Sequence, residues 1–337
     1  EGRGLLDHWQ QYLDAYPALA EVPAPVDGDA LLAGVLGQYP VVLGYVFQAL
    51  VDADDAPPIG ALPPPQIIEP ESRPLLERVP LPRPQRYTAN LPLLQEQAWS
   101  GGFFDNPHVD MDGVFRRVPL LQHWQGEWYA SLPLAMFQML LGGAPVQPMV
   151  VENGNSVLLE GLDVGGFRIP VDERGAALVP WYGPAGHFRR VSAVDVLTGE
   201  ISEEALEGAL VLLGTSAPGL MDLRSTPVGP VFPGAEIQLS LLAGMLHQSF
   251  LAEPGWVGGA ELVTLLLLGL LLTWALPRFG AVVNLSLVLL LLTAAVALSL
   301  WAWTAGLVLP VVPTLLLIAL QGGWHITGNF YREAGSR

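Results

Sequence analysis

Between Phe279 and Tyr331 the chain carries no Asp, Glu, Lys or Arg. A stretch so long and so free of charge has no solvent face to offer, and helices that are apolar all round belong in a core or a membrane. It also exceeds the roughly 20 residues that one membrane crossing needs, so it must turn back. The break falls at Trp301-Ala302-Trp303-Thr304-Ala305-Gly306, where aromatic residues suit a membrane interface. A further apolar segment lies ahead of it, with Glu261 near its start and Pro277-Arg278-Phe279-Gly280 as its closing turn. Three transmembrane helices are therefore expected, at about 257–276, 281–300 and 307–325. Pro310 and Pro313 fall near the start of the third, where a helix tolerates them best.

The preceding residues differ in kind. Up to Trp256 there are 12 Arg against 30 carboxylates, whereas Val257–Arg337 holds three Arg and two Glu. Every cation is Arg. The absence of Lys excludes a Walker-type phosphate loop and a Schiff-base lysine. The formal charge of −17 repels phosphate backbones, so no nucleic-acid partner is expected. With no Cys, disulfides, thiolate metal sites and cysteine nucleophiles are excluded as well.

Arg278, Arg332 and Arg337 fall on one side of a three-span arrangement, and the positive-inside rule places that side in the cytoplasm. Residues 1–255 are then an outward-facing body, 256–328 the membrane domain and 329–337 a cytoplasmic connector. An outward body needs an export signal, and Glu1-Gly2-Arg3 offers none, so a preceding signal peptide or span is expected. His325, at the inner edge of the third span, is a group that could titrate.

Within the body, helices and strands alternate, which indicates an α/β class. Helices are expected over Leu5–Ala15, over Ala30–Leu36 with Asp29 as its cap, over Trp128–Leu141 and over Gly234–Phe250. The apolar runs Val41–Phe47 and Ala209–Leu213 read as strands buried on both faces. Hairpins are expected around Asp112-Gly113 and around Asp172-Glu173-Arg174-Gly175. Pro57–Pro84 holds ten prolines and cannot be a regular element.

Two constellations could carry chemistry. Asp105, His108, Asp110 and Asp112 crowd into eight residues, with Arg116 and Arg117 following. A calcium loop with Gly113 at its sixth position would need a bidentate Glu where Pro119 stands, so the carboxylates are expected to be neutralised by the arginines. The second is Gly214-Thr215-Ser216-Ala217-Pro218, followed by Asp222 and Arg224. Ser216 fits three positions of a nucleophile elbow, with His187 or His247 and Asp222 as partners, but Pro218 replaces the closing glycine. The same loop could instead hold a small ligand through its backbone donors. Arg224 either pairs with Asp222 or grips a ligand carboxylate. The candidate ligand-binding residues are thus Asp105, Asp110, Asp112, Arg116, Thr215, Ser216, Asp222 and Arg224, and no metal site is expected.

The order of these segments resembles the type-two CHASE family, extracytoplasmic sensory domains of bacterial nucleotide cyclases, histidine kinases and related signalling proteins. The matching pieces are GGFFDNPHVDMDGVFRRVPLL at 101–121, Tyr129-Ala130-Ser131-Leu132, the runs 169–175 and 184–192, ALVLLGTSAPGLMDLRSTPVG at 209–229, and Pro233-Gly234-Ala235-Glu236-Ile237. Gln238-Leu239 departs from the His-Ala of many relatives, and the proline-rich stretch before Tyr87 is unusually heavy. The resemblance implies an α/β extracytoplasmic sensor followed by three transmembrane helices in a bacterial inner membrane. It further implies a homodimer and an unidentified extracytoplasmic ligand or protein. The tail Tyr331–Arg337 is similar to the connector that enters a class III cyclase domain, so the expected output is cAMP or cGMP synthesis. Mg with ATP would be needed only by that domain, and no cofactor is expected in residues 1–337. A histidine or serine/threonine kinase output, an envelope hydrolase using Ser216, and a structural assembly protein are the other readings.

Overall fold

The computed structural model describes residues 2–17, 26–48, 57–107, 109–153, 156–215 and 223–335. His108, Ser216 and Asp222 lie outside the described residues. The body opens with helices α1 (Gly2–Ala15) and α2 (Gly28–Leu36). Asp27, and not the expected Asp29, caps α2 by accepting from the Asp29 and Ala30 N–H groups at 3.1 Å each. Strand β1 (Val42–Gln48) comes next, and the proline-rich stretch is irregular apart from the single turn α3 (Arg73–Leu76). After it stand β2 (Arg86–Thr88), α4 (Pro92–Gln97) and β3 (Ser100–Phe103). β1 lies between antiparallel β2 and parallel β3. Only Tyr45 and Phe47 on β1 are fully buried, so this strand has one buried face and not the expected two.

β4 (Arg117–Pro119), β5 (Leu121–Trp124) and β6 (Glu127–Ala130) lead into α5 (Leu132–Leu140). The helix expected from Trp128 begins only after Ser131, because Trp128 and Tyr129 are held in the β5–β6 hairpin opposite His123 and Gln122. Every residue of α5 from Leu132 to Gln138 is buried, which makes it the centre of the body. Three antiparallel strands succeed it, β7 (Val146–Asn153), β8 (Ser156–Val164) and β9 (Phe167–Pro170). β10 (Ala176–Leu178) pairs with β4. Turns do form at 110–113 and at 172–175, with Gly113 N–H to Asp110 O at 2.8 Å and Gly175 N–H to Asp172 O at 3.0 Å. The strands flanking those turns pair elsewhere, so neither is the hairpin expected. After the short helix α6 (Ala193–Leu197), the run Ala209–Leu213 is no strand: Leu213 is 85% exposed. β1 already has a neighbour at each edge, so no place beside it remains for this run.

The body ends in the hairpin β11 (Leu223–Thr226) and β12 (Gly229–Pro233), which leads into α7 (Gly234–His247), packed on α5. Its main core joins Trp128, Leu134, Phe137, Leu162, Ile169 and Leu241 across α5, α7 and the β7–β9 sheet. Burying each such side chain contributes roughly 1.5–3 kcal/mol.

Three helices complete the chain, α8 (Val257–Ala275), α9 (Ala281–Thr304) and α10 (Val312–Gly335). Val257–Arg278 and Ala281–Thr304 are long and apolar enough to cross a membrane. The expected third span is corrected on that measure. α10 begins at Val312, later than the expected start at 307, and its second half carries Gln321, His325 and Asn329. α10 nevertheless packs against α8 and α9 around Leu272, Leu276, Val288 and Ile318. Outward-facing Leu266, Leu270, Leu285 and Leu289 clothe α8 and α9 in side chains that lipid solvates as well as protein does. Asn284, fully buried, donates to the Leu276 and Phe279 carbonyls at 2.8 and 3.2 Å and so ties the α8–α9 turn.

The bundle returns to the body. Ala252 N–H donates to Gly306 O at 2.8 Å, and Val308 N–H donates to Ala252 O at 3.0 Å. The connector between α9 and α10 is therefore paired with the segment that leaves α7, while Arg278 sits at the opposite end of α8.

Candidate functional site

The site is built where β3 ends. Gly102 allows it: a Cβ there would lie 2.4 Å from Leu132 Cα, so only glycine lets β3 run against the start of α5. The chain then leaves the sheet as Phe104-Asp105-Asn106 beside α7. Asp105 turns inward. Its carboxylate accepts the Phe47 N–H at 2.7 Å and the Gln122 Nε2 at 2.8 Å. Burial pushes its pKa up to about 6, against the lowering effect of both hydrogen bonds. The Tyr45 hydroxyl nearby is raised too, chiefly by burial and then by the neighbouring Tyr129 and Asp105. Asn106 donates to the Arg117 carbonyl at 2.8 Å.

The acidic turn beyond it is neutralised as expected. Arg116 bridges Asp110 at 2.7 Å and Asp112 at 2.6 Å, and its hydrogen bond holds the Asp112 carboxyl down at about 2. Arg117 makes only a 3.9 Å approach to Asp110 and instead joins Asp172 at 3.1 Å and Glu253 at 3.2 Å. It thereby ties β4 to the segment beneath α7. Phe115, between these arginines and the turn, donates its N–H to the Ser225 carbonyl at 2.8 Å. That link brings the turn alongside β11, where the Arg224 guanidinium stacks over the Phe115 ring at 5.1 Å.

A small cleft of about 20 Å³ opens at this junction. Phe104, Phe115, Val118 and Ile237 supply apolar walls, and Asn106, Arg224, Gln238 and Gly234 supply the polar groups. Gly234 begins α7, whose N-cap, Pro233, has no side chain able to cap it. Glu236 does not cap it either. Its buried carboxylate accepts the Gly186 N–H at 2.9 Å and pairs with Arg190. Gln238 is 7% exposed; its Nε2 donates to the Phe104 carbonyl at 3.3 Å, and its Oε1 has no partner among the described residues. Thr215 is exposed close by, since Gly214 packs against Ala235 in the first turn of α7.

Of the eight sequence candidates, the structure thus brings Arg224 to the cleft and Thr215 to its neighbourhood, while Asp105, between the lining residues Phe104 and Asn106, turns its carboxylate away to Phe47 and Gln122. Asp110, Asp112 and Arg116 form their own ion-paired turn. Ser216 and Asp222 fall outside the described residues. Sequence reasoning missed Asn106 and Gln238. For Gln238 a signal existed: Gly234, Gln238, Leu241, Leu242 and Met245 form one buried stripe of α7, and a lone amide in such a stripe needs a reason.

Among known families, the CHASE2 domain profile matches residues 6–275 of this chain. The chain belongs to the CHASE2 family. No curated protein and no solved structure matches it. CHASE2 is an extracytoplasmic sensory domain of receptor cyclases and kinases, and here it stands on apolar helices suited to anchoring it in a membrane.

Proposed function

We infer that residues 1–337 are the sensing and anchoring part of a bacterial receptor nucleotide cyclase, with the CHASE2 body outside the inner membrane and the catalytic domain inside. The observation that carries this reading is the pairing of Ala252 with the α9–α10 connector. A domain that served only as a tethered enzyme or a structural module would need one attachment to its anchor. This body holds the bundle at two, through α8 and through the connector that begins α10. A rearrangement at the start of α7 then reaches α10 without passing along α8 and α9. α10 packs against the Leu276–Arg278 turn at the far end of the α8–α9 hairpin, and the positive-inside rule puts Arg278 in the cytoplasm. The receptor works as a homodimer, as class III cyclases do, and a ligand acts by its differential affinity for two states of the body. Mg with ATP belongs to the catalytic domain alone.

The test is the native polypeptide. Intact mass with mapped C-terminal peptides identifies any domain beyond Arg337, and membranes containing that polypeptide are assayed for cAMP and cGMP synthesis. A cyclase domain with measurable synthesis supports the proposal. A kinase domain moves the output to phosphoryl transfer and leaves the sensor reading standing. A chain that stops at Arg337 overturns the fused-receptor reading.

A further inference from the structure

We propose that the surface segment 193–213 docks a cationic peptide, which adds as a strand along Ala209–Leu213. The proposal rests on the sensor reading and names the class of partner that is sensed. The chain runs without a turn or bend from Ala209 to Thr215. Leu212 packs against the main core, whereas Val211 and Leu213 on either side of it stand 63% and 85% exposed. Such alternation is that of a strand with one face on a core. Yet no peptide N–H or C=O of Leu210–Leu213 is hydrogen-bonded among the described residues. The body therefore presents an open strand edge, to which an extended peptide adds by main-chain hydrogen bonds.

The side chains of the segment select the occupant. α6 buries none of its residues, and Val194, Val196 and Leu197 join Leu210, Val211 and Leu213 as large apolar side chains left to solvent. Among them stand Asp195, Glu200, Glu203, Glu204 and Glu207, and residues 193–213 hold no cation. None of these five carboxylates is ion-paired among the described residues. The arginines just before α6 are engaged elsewhere, Arg189 with the Ala205 carbonyl at 3.5 Å and Arg190 with Glu236. A second copy would set this uncompensated charge against its like, and an anionic lipid surface is repelled in the same way. A peptide in which Lys or Arg alternates with apolar residues meets both the charge and the apolar side chains. The segment is fastened to the first turn of α7 at both ends. Arg190 precedes it and pairs with Glu236; Gly214 follows it, where an added Cβ would lie 2.9 Å from the Ala235 Cβ. A peptide laid between those ties bears on α7, the helix that leads to the bundle.

The experiment is calorimetric titration of the full chain in phosphatidylcholine nanodiscs, with empty nanodiscs as the blank. The probe is a short blocked peptide that alternates Lys and Val. Its controls carry Ser for Val, Glu for Lys, or methyl groups on alternate peptide nitrogens. The Lys/Val peptide is expected to saturate, and each control to bind at least about tenfold more weakly, because each removes the apolar, the charge or the main-chain match. Leu213→Ser, and Glu203→Gln combined with Glu204→Gln and Glu207→Gln, all at exposed positions, should each weaken the Lys/Val peptide by about tenfold. No saturable heat with the wild-type chain, equal binding of the Ser control, or full affinity of the methylated control overturns the proposal. So does self-association of the wild-type chain that Leu213→Glu abolishes, which would give the face to a second copy. The peptide comparison uses the wild-type chain and decides the matter even if a variant fails to fold. Output of the native polypeptide separates the two readings. Peptide binding that leaves output unchanged sinks the sensor reading alone, whereas an output that responds to other extracytoplasmic compounds but never to the peptide sinks the partner class alone.

Discussion

Asp105 shows how a single residue can be chemically informative and still be misread from sequence. Its neighbours Asp110 and Asp112 made it look like one member of an acidic cluster, but its carboxylate turns away from them to the Phe47 N–H and Gln122. The partners come from strands distant in the chain, and no local spacing reveals them. Because its folded pKa of about 6 lies above the roughly 3.9 of an unfolded Asp, the folded chain binds more protons between those values. Stability from this group is therefore greatest below about pH 4 and declines as pH rises through 6. Asp105→Asn should flatten that decline and raise the melting temperature at pH 7.5, since Gln122 can turn its amide to accept from Asn. Melting curves between pH 4.5 and 7.5 check this; a variant that melts lower at pH 7.5 would mean that the ionised form is the stabilised one.

At the scale of elements, sequence periodicity succeeded where an element satisfies its own backbone and faltered where pairing decides. α7 was legible, as were α8 and α9, because a helix closes its hydrogen bonds locally. The strand expected at Ala209–Leu213 failed because an apolar run cannot reveal whether a neighbouring strand is free, and β2 and β3 had taken both places beside β1. Trp128 and Tyr129 read as helix for the same reason, their true partners being His123 and Gln122 across a two-residue turn. The cleft was legible only at Arg224, since Gln238 gains its meaning from the Phe104 carbonyl, which lies far away in sequence. Among the membrane helices, packing turns on Gly322 of α10, where a Cβ would stand 2.5 Å from Val288 Cγ2 of α9. Gly322→Leu should overpack that contact and destabilise the bundle by about 1–3 kcal/mol. Thermal unfolding in detergent measures it, and an unchanged midpoint would show that α9 and α10 do not meet there.

For the whole molecule, the decisive feature is that the body touches its membrane helices at both ends of the α8–α9 excursion. The natural absence of Cys makes this directly testable. Ala252→Cys with Leu307→Cys places two thiols on facing residues of a β-bridge, within the Cα separation that a disulfide spans. Mild oxidation of membranes should cross-link the pair within one chain, detected as a mobility change reversed by reductant. Failure to cross-link, with both single variants reactive to maleimide, would separate the body from the connector. Arg117 reinforces the same region from above, joining Asp172 in the body to Glu253 beside the bridge.

The Ala252 bridge also has a consequence for biogenesis. Its two sides are separated in the chain by the whole of α8 and α9, so during synthesis Ala252 emerges and must wait while a complete helical hairpin is inserted. Until Gly306 and Val308 arrive, the stem of the sensory body has no docking edge. The order of translation thus sets an order of assembly, in which the outer domain is fastened to the bundle only when its last helix is about to be made.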